Sequence, residues 1–525
     1  MKALALLLAL ALGLPASAQT VSVAEGRLEG VTLPSGVRAW RGVPFAAPPV
    51  RELRWRAPQP ARPWVGVFHA DRFAPMCLQP LRSRTMNHYF GDEATSEDCL
   101  YLNIWAPARP PTSGKRYPVV VWIYGGAFNV GSASMANYSG ASLAQKGVVQ
   151  VNLAYRVGAL GFLAHPDLTR EGGGASGDYG LMDQIAGLQW VRRNIAAFGG
   201  DPGNVTIVGQ SAGSMSVALL QQSRLAKGLF HRIVGMSGSP FGEPASPVPL
   251  KEAEAQGLAL QKALGAGSIE DMRDLSGDRV IAAQVRRDPV VIDGRLITGS
   301  PGQVFAAHAQ SDVPIMIGFT RDESFRPLGP ARTVDDYQDI VRRTFPRTAE
   351  AMLEAYPAAT DGQVPRALSD LQRDASVGRQ MAEWARAQRG SGKAPAYVWL
   401  FERRQPYAPG VRFSDHDPAV AGAYHSGDVP YWFQTLDSLN LFRTTRQWEA
   451  GDRRLAESMS DMLVAFARGG APSPAWPKFD PGRPRVMRLG FDLGPMDWPH
   501  YAALDRLDMA PPPAPAAAPA GRPRD

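Results

Sequence analysis

Thiols and metal-binding patterns are what this sequence has least of. Cys77 and Cys99 are its only cysteines in 525 residues. There is no CxxC, no HExxH and no His/Cys cluster at zinc spacing, so no metal is called for. A Gly-rich phosphate loop of the P-loop kind is also missing, and no organic cofactor is indicated. Charge of one sign is scarce too: 56 Lys and Arg against 49 Asp and Glu leave a formal +7. The arginines are scattered among acids rather than gathered with interleaved aromatics, which argues against a nucleic-acid partner. After the N-terminal stretch no apolar run is long enough to span a bilayer, so no stable membrane anchor is expected.

What is present is a large core. Hydrophobic residues make up 45% of the chain and charged residues 20%, which excludes global disorder. Met1-Lys2, the apolar run Ala3 to Leu14 and Pro15-Ala16-Ser17-Ala18 have the basic, hydrophobic and small-residue parts of a secretory signal. Cleavage is expected before Gln19, with an uncleaved anchor as the alternative. The mature protein is then expected to be secreted or periplasmic. In that setting Cys77 and Cys99 are expected to pair, two buried free thiols being the alternative. Closing this loop would contribute roughly 3 kcal/mol in the chain-entropy model.

Short apolar runs alternating with turns, as in Val31 to Val37, predict an antiparallel ribbon near the start. Continuous apolar runs follow at Val119 to Tyr124, Val148 to Leu153 and Val205 to Val208, as in strands buried on both faces of a parallel sheet. Between the second and third, Leu181, Ile185, Leu188, Val191, Ile195 and Phe198 recur at helical spacing, giving a β-α-β alternation. Later strands are expected at 313–318 and 396–401. The polar, helix-rich stretches near 250–310 and 330–390 read as excursions that wall a pocket. The fold class is therefore α/β, with a mostly parallel central sheet and helices on both faces. No internal repeat is present.

The most informative stretch is Gly209-Gln210-Ser211-Ala212-Gly213. A strand, a G-x-S-x-G and a helix together describe a nucleophile elbow. The turn demands small residues on either side of the serine and leaves the Ala212 N–H at a helix N-terminus, where negative charge is favoured. A serine hydroxyl needs a base, usually histidine, and in this arrangement the acid and then the base follow the serine in the chain. Glu323, just past the strand near 313–318, fits the acid, with Asp322 as its rival. Downstream histidines are His416, His425 and His500. His425 lies in a small-residue loop, His416 between two aspartates resembles a solvated turn, and His500 borders the C-terminal tail. Tyr124-Gly125-Gly126-Ala127-Phe128, after a buried strand, supplies backbone donors for an oxyanion. Gly126, Ala127 and Ala212 are the expected donors.

With these residues assembled, the chain resembles the type-B carboxylesterase/cholinesterase family of α/β-hydrolases from about Gly42 to about Pro477. The resemblance rests on Gly42-Val43-Pro44-Phe45-Ala46 with Pro48-Pro49-Val50, on Ser96-Glu97-Asp98-Cys99-Leu100-Tyr101-Leu102-Asn103, on Asp178 to Gln184, on Phe198-Gly199-Gly200-Asp201-Pro202, and on the elbow. It implies an α/β-hydrolase catalytic domain over 19–509, after a signal at 1–18 and before a Pro/Ala-rich disordered tail at 510–525. It implies a Ser211/Glu323/His425 triad, a Cys77–Cys99 bridge and a structural Arg54–Glu97 salt bridge. The activity implied is hydrolysis of a small-molecule ester through an acyl-serine.

Departures from the family pattern spare every catalytic group. Gln210 replaces a frequent Glu, Ala127 a third glycine, Ser324 and Ser426 the glycines that often follow the acid and the base, and Asp428 a glutamate. The loop from Cys77 to Cys99 has no tryptophan, so choline esters are disfavoured; Tyr89 and Phe90 would offer only a weaker cation–π contact. Arg82 and Arg84 in this loop read as solvent-facing, the alternative being that they address an anionic ester. Amide or carbamate hydrolysis by the same site, and a noncatalytic binding protein of the same fold, are the competing functions. The oligomeric state is not legible.

Overall fold

A computed structural model describes residues 19–89, 94–112, 114–242, 246–284 and 286–509. The signal assigned to 1–18, Phe90 and the tail at 510–525 lie outside the described residues.

Among the described residues thirteen strands form one sheet. Its first edge is antiparallel: Gln19–Val23, Gly26–Thr32, Arg38–Pro44 and Tyr101–Ala106 follow one another as neighbours, and Val149–Leu153 runs antiparallel to the last of these. From Val149–Leu153 the sheet is parallel through Tyr117–Ile123, Gly200–Gln210, Arg232–Met236, Ile315–Thr320, Ala396–Phe401 and Arg485–Leu489. Gly494–Asp497 closes the far edge antiparallel.

The continuous apolar runs mark the centre of this sheet because strands covered on both faces need no polar side. Val119 to Ile123, Ile207 and Val208 are all 0% exposed. The elbow strand extends further than its apolar part, from Gly200 to Gln210, with an irregularity between Gly200 and Val205. The helix expected over 181–198 is Tyr179–Asn194, continued by a 3-10 turn to Phe198. Strands Tyr101–Ala106, Arg232–Met236 and Arg485–Leu489 and the long helix Ala450–Gly469 were not marked by the sequence patterns. Tyr101–Ala106 lies within a stretch read only for its family resemblance.

The two excursions are helical, as their polar periodicity predicts. The first carries Leu250–Leu264, Ile269–Asp274, Gly277–Ala283 and Pro301–Ala306. The second carries Val334–Thr344, Ala349–Ala355, Val364–Arg373 and Arg379–Ser391. Serine or threonine caps begin several of them; Ser300 and Thr333 form full capping boxes, which satisfy N–H groups that the first helical turn leaves open. No described helix is long and apolar enough to cross a membrane.

Candidate active site

Ser211 stands between strand Gly200–Gln210 and helix Ala212–Gln222. Its backbone has φ 57° and ψ −124°, a conformation a serine adopts only when its surroundings enforce it. Two hydrogen bonds hold it: its N–H donates to the Met236 carbonyl at 2.8 Å, and its carbonyl accepts from Met215 N–H at 2.9 Å. The flanking glycines are required for space. A Cβ on Gly209 would lie 2.1 Å from the Gly213 carbonyl oxygen, and one on Gly213 would lie 2.1 Å from that of Ile123.

The expected acid and base, Glu323 and His425, come from loops after later strands. Glu323 follows Ile315–Thr320, is buried, and accepts the Thr320 N–H on Oε1 at 2.7 Å. Its Oε2 lies 2.5 Å from His425 Nδ1. That contact defines the proton on Nδ1 and leaves the Nε2 lone pair free to act as a base. Phe325 packs edge-on against the imidazole, with ring centroids 5.1 Å apart. Asp322, the rival acid, turns instead to the loop: its Oδ2 accepts the Ala423 N–H at 2.7 Å, and Arg366 pairs with Oδ1 at 2.5 Å. Burial opposes its charge, but Arg321, that backbone bond and Arg366 together hold its carboxyl below the usual range. Asp322 is thus an anchor for the His425 loop.

Nε2 of His425 has no hydrogen bond to Ser211 among the described residues. It sits 3.1 Å from Nε2 of the buried Gln210. Hydrogen bonds to a catalytic serine are often loose before substrate arrives. Gly126, Ala127, Ser211, Ala212 and His425 line one cavity of about 1100 Å³. Gly126, Ala127 and Phe128 have φ of 123°, 56° and 58°, so the loop after strand Tyr117–Ile123 is held in a strained form. Among the described residues the N–H groups of Gly126 and Ala127 meet no protein acceptor outside the cavity. Ala212 is the first residue of its helix, where N–H groups have no intrahelical partner.

The other histidines resolve differently from one another. His416 is not a solvated turn: it lines the cavity, hydrogen-bonds the Tyr407 hydroxyl and packs edge-on against Tyr424 at 4.6 Å. Burial first, then Arg446, push its imidazole down to about 4. The flanking aspartates suggested solvent because sequence shows neighbours in the chain and not Tyr407 and Tyr424. His500 packs against Tyr356 with tilted rings 4.5 Å apart, and His231 braces the elbow strand by accepting the Val205 N–H. His308 hydrogen-bonds the Ser391 carbonyl.

His88, in the loop between the cysteines, was missed because it precedes the serine in the chain. Its Nε2 lies 3.2 Å from Ser426 Oγ, directly beside His425. Burial, then Arg82 and Arg446, keep it well below the ordinary imidazole range, so it stays neutral.

The loop itself is tied down. Cys77 and Cys99 are disulfide-bonded. Arg54 pairs with Glu97 through two bonds of 2.6 and 2.7 Å and also donates to the carbonyls of Met272 and Leu275. This salt bridge joins the loop to the first helical excursion, away from the reacting atoms. Tyr89 packs on Phe442 at 5.3 Å and does not line the cavity. Among the described residues no group of three or more His, Cys, Asp or Glu is placed to hold a metal.

Comparisons with known proteins place the chain in a family. The carboxylesterase family model matches residues 17–498. A fumonisin B1 esterase of Sphingopyxis macrogoltabida is 35% identical over 487 residues, 90% of this chain and 86% of that protein. A para-nitrobenzyl esterase of Bacillus subtilis is 32% identical over 486 residues, 88% of this chain and 92% of its own. A phenmedipham hydrolase of Pseudarthrobacter oxydans is 32% identical over 495 residues, 88% of this chain and 93% of its own. Among solved structures, a PNB esterase superposes with a TM-score of 0.77 at 30% identity, covering 94% of this chain and 99% of its own. With an elbow serine, a paired glutamate and histidine, and a family match over nearly its whole length, the chain belongs to the carboxylesterase family and has the α/β-hydrolase fold of a serine ester hydrolase.

Proposed function

We propose that Ser211, His425 and Glu323 carry the hydrolysis of carboxylic esters in this enzyme, with Gly126, Ala127 and Ala212 donating to the oxyanion. The observation that carries this reading is the 2.5 Å contact of His425 Nδ1 with Glu323 Oε2, on the cavity that Ser211 also lines. His425 Nε2 takes the Ser211 proton as Oγ bonds to the ester carbonyl carbon. The carbonyl oxygen gains the negative charge and is held by the three N–H groups. The C–O bond to the alcohol then breaks, and the alcohol leaves with the proton from His425. Water, deprotonated by the same nitrogen, attacks the acyl-serine and releases the acid and the serine. Glu323 keeps its hydrogen bond to Nδ1 and stabilises the imidazolium.

The side chain of Gln210 must yield Nε2 during the first step, since that nitrogen cannot serve Gln210 and Ser211 fully at once. At about 1100 Å³ the cavity admits esters of drug size. Phe128, Met135, Met215, Val290 and Phe325 give it apolar walls, and His88, Asn137 and Ser246 add polar points. The basic, apolar and small-residue pattern of residues 1–18 supports export, to the periplasm or beyond.

Mass spectrometry after treatment with a fluorophosphonate probe tests the assignment. A single adduct on Ser211, with loss of both adduct and 4-nitrophenyl butyrate hydrolysis in Ser211→Ala, is the expected result. An adduct on another serine, or full activity in Ser211→Ala, rejects it.

A further inference from the structure

Several interior arginines of this protein come with carboxylates, while Arg38 and Arg446 are buried on neutral oxygen acceptors. Arg54 pairs with Glu97, Arg156 with Asp183, Arg373 with Asp374 and Arg403 with Asp452. The cavity of Ser211 carries three more arginines, one half-buried and two exposed. Arg82, from the disulfide loop, and Arg286 and Arg287, from the segment after helix Gly277–Ala283, all line it. Among the described residues none of the three has a carboxylate partner. Arg82 donates, among the described residues, only to a neutral group, the His88 carbonyl at 3.3 Å. Arg84, the other arginine of the loop that drew attention in the sequence, does not line the cavity.

Among the described residues the cavity lining carries three arginines against two aspartates, a formal excess of positive charge. Asp288 and Asp415 line it too, but each is engaged by a donor of its own. Asp288 Oδ2 accepts from Gln284 Nε2 at 2.9 Å, and burial pushes its carboxyl up to about 7, so near neutral pH a substantial fraction is protonated. Asp415 Oδ1 accepts the Asn87 N–H at 2.9 Å. Glu323 is spent on His425 and Thr320 and does not reach the cavity wall. Arginines from two segments some 200 residues apart in sequence therefore line one cavity together with Ser211. A planar, permanently charged fork matches a carboxylate in two parallel hydrogen bonds.

We propose that this cavity selects esters carrying a free carboxylate a few bonds from the scissile carbonyl, held by Arg82, Arg286 and Arg287 while Ser211 attacks. The inference rests on Ser211 being the nucleophile and adds the chemical class of substrate. The guanidinium groups also draw such anions toward the site, an effect that salt screens.

Two substrate pairs differing only in carboxylate against carboxamide test it, and together they separate the two sides of the ester. On the acyl side, butyl hydrogen glutarate is compared with the butyl ester of glutaramic acid. On the alcohol side, 3-acetoxybenzoate is compared with 3-acetoxybenzamide. In at least one pair the carboxylate is expected to have the higher kcat/KM, with an advantage that shrinks as salt rises.

In the combined Arg82→Gln, Arg286→Gln and Arg287→Gln enzyme, the carboxylate-to-carboxamide ratio is expected to fall about tenfold, as losing several partly exposed charge pairs predicts. Fluorophosphonate labelling of Ser211 reports whether that variant is folded. If it is not, the exposed single variant Arg287→Glu is read in its place, with the ratio falling in the same direction. A ratio at or below one in both pairs, or a ratio the folded variant retains, overturns the proposal. Either result leaves the nucleophile assignment standing, because that depends on labelling and on hydrolysis of the uncharged member of each pair.

Discussion

The side-chain amide of Gln210 lies 3.1 Å from Nε2 of His425, the nitrogen that the proposed mechanism uses to take the proton from Ser211. The residue before Ser211 thus touches the proposed base, and a neutral amide there neither charges the imidazole nor repels it. In Gln210→Glu a buried carboxylate would meet the same nitrogen. An anion within hydrogen-bond reach favours the protonated imidazole, by roughly one pH unit or more. The acid limb of the kcat/KM profile is therefore expected to move to higher pH, with activity near pH 6 falling more than activity near pH 9. Identical profiles for the two enzymes would remove Gln210 from the mechanism.

Two neighbouring acids have separable roles. Glu323 meets the imidazole, whereas Asp322 holds the backbone of Ala423. Glu323→Gln is expected to lower kcat by about 10⁴-fold with little change in folding, as in other triads deprived of their acid. Asp322→Asn is expected to lower thermal stability and to reduce kcat far less. Rate and melting measurements on both variants check this, and a larger kcat loss in Asp322→Asn would exchange the assignments.

Asp428 lies fully buried in the turn after His425, where burial first and Glu323 second push its carboxyl up to about 7. Its folded-state value is raised, so the folded protein holds this proton more tightly than the unfolded chain does. Stability from this group is fully present below the ordinary aspartate value and is lost as pH rises from there through about 7. Asp428→Asn keeps an acceptor for Trp432 Nε1, which bonds Oδ2 at 3.2 Å. The variant is expected to be stabilised at pH 8 relative to the parent and to gain less, or nothing, at pH 5. Melting curves at both pH values decide it; an equal shift at the two would show that Asp428 does not titrate on folding.

Reduction of the Cys77–Cys99 bridge frees a loop spanning 22 residues. The entropic contribution is about 3 kcal/mol. Because the loop carries His88 against Ser426 and Arg82 on the cavity wall, Cys77→Ser with Cys99→Ser is expected to lower kcat/KM as well as the melting temperature. Steady-state kinetics below the new melting transition check the first effect. Kinetics unchanged while stability falls would make the bridge purely structural.

The elbow was legible because its information is local. Gly209 and Gly213 are forced by contacts within a few residues of Ser211 and with the adjoining strand, so spacing alone exposes them. The buried parallel strands were legible for a similar reason: Val119 to Ile123 has no polar alternation because neither face meets water. Strand Tyr101–Ala106 was harder, since Asn103, inside the sheet, breaks the apolar run while donating to Ala133 and accepting from Gly42.

The site beyond the elbow needed the tertiary structure. Strands Gly200–Gln210, Ile315–Thr320 and Ala396–Phe401 are parallel members of one sheet, so the loops after them emerge at one edge and bring Ser211, Glu323 and His425 together. Chain order limits which histidine follows the acid, but only packing separates His425 on Glu323 from His416 on Tyr407 and His500 on Tyr356. The same holds for Gln210, His88, Arg286 and Arg287, whose roles come from neighbours far away in the chain. Sequence by itself determined the elbow around Ser211 and the α/β framework, because sterics and burial act on adjacent residues. The occupants of the cavity wall were decided by how distant loops fold over it.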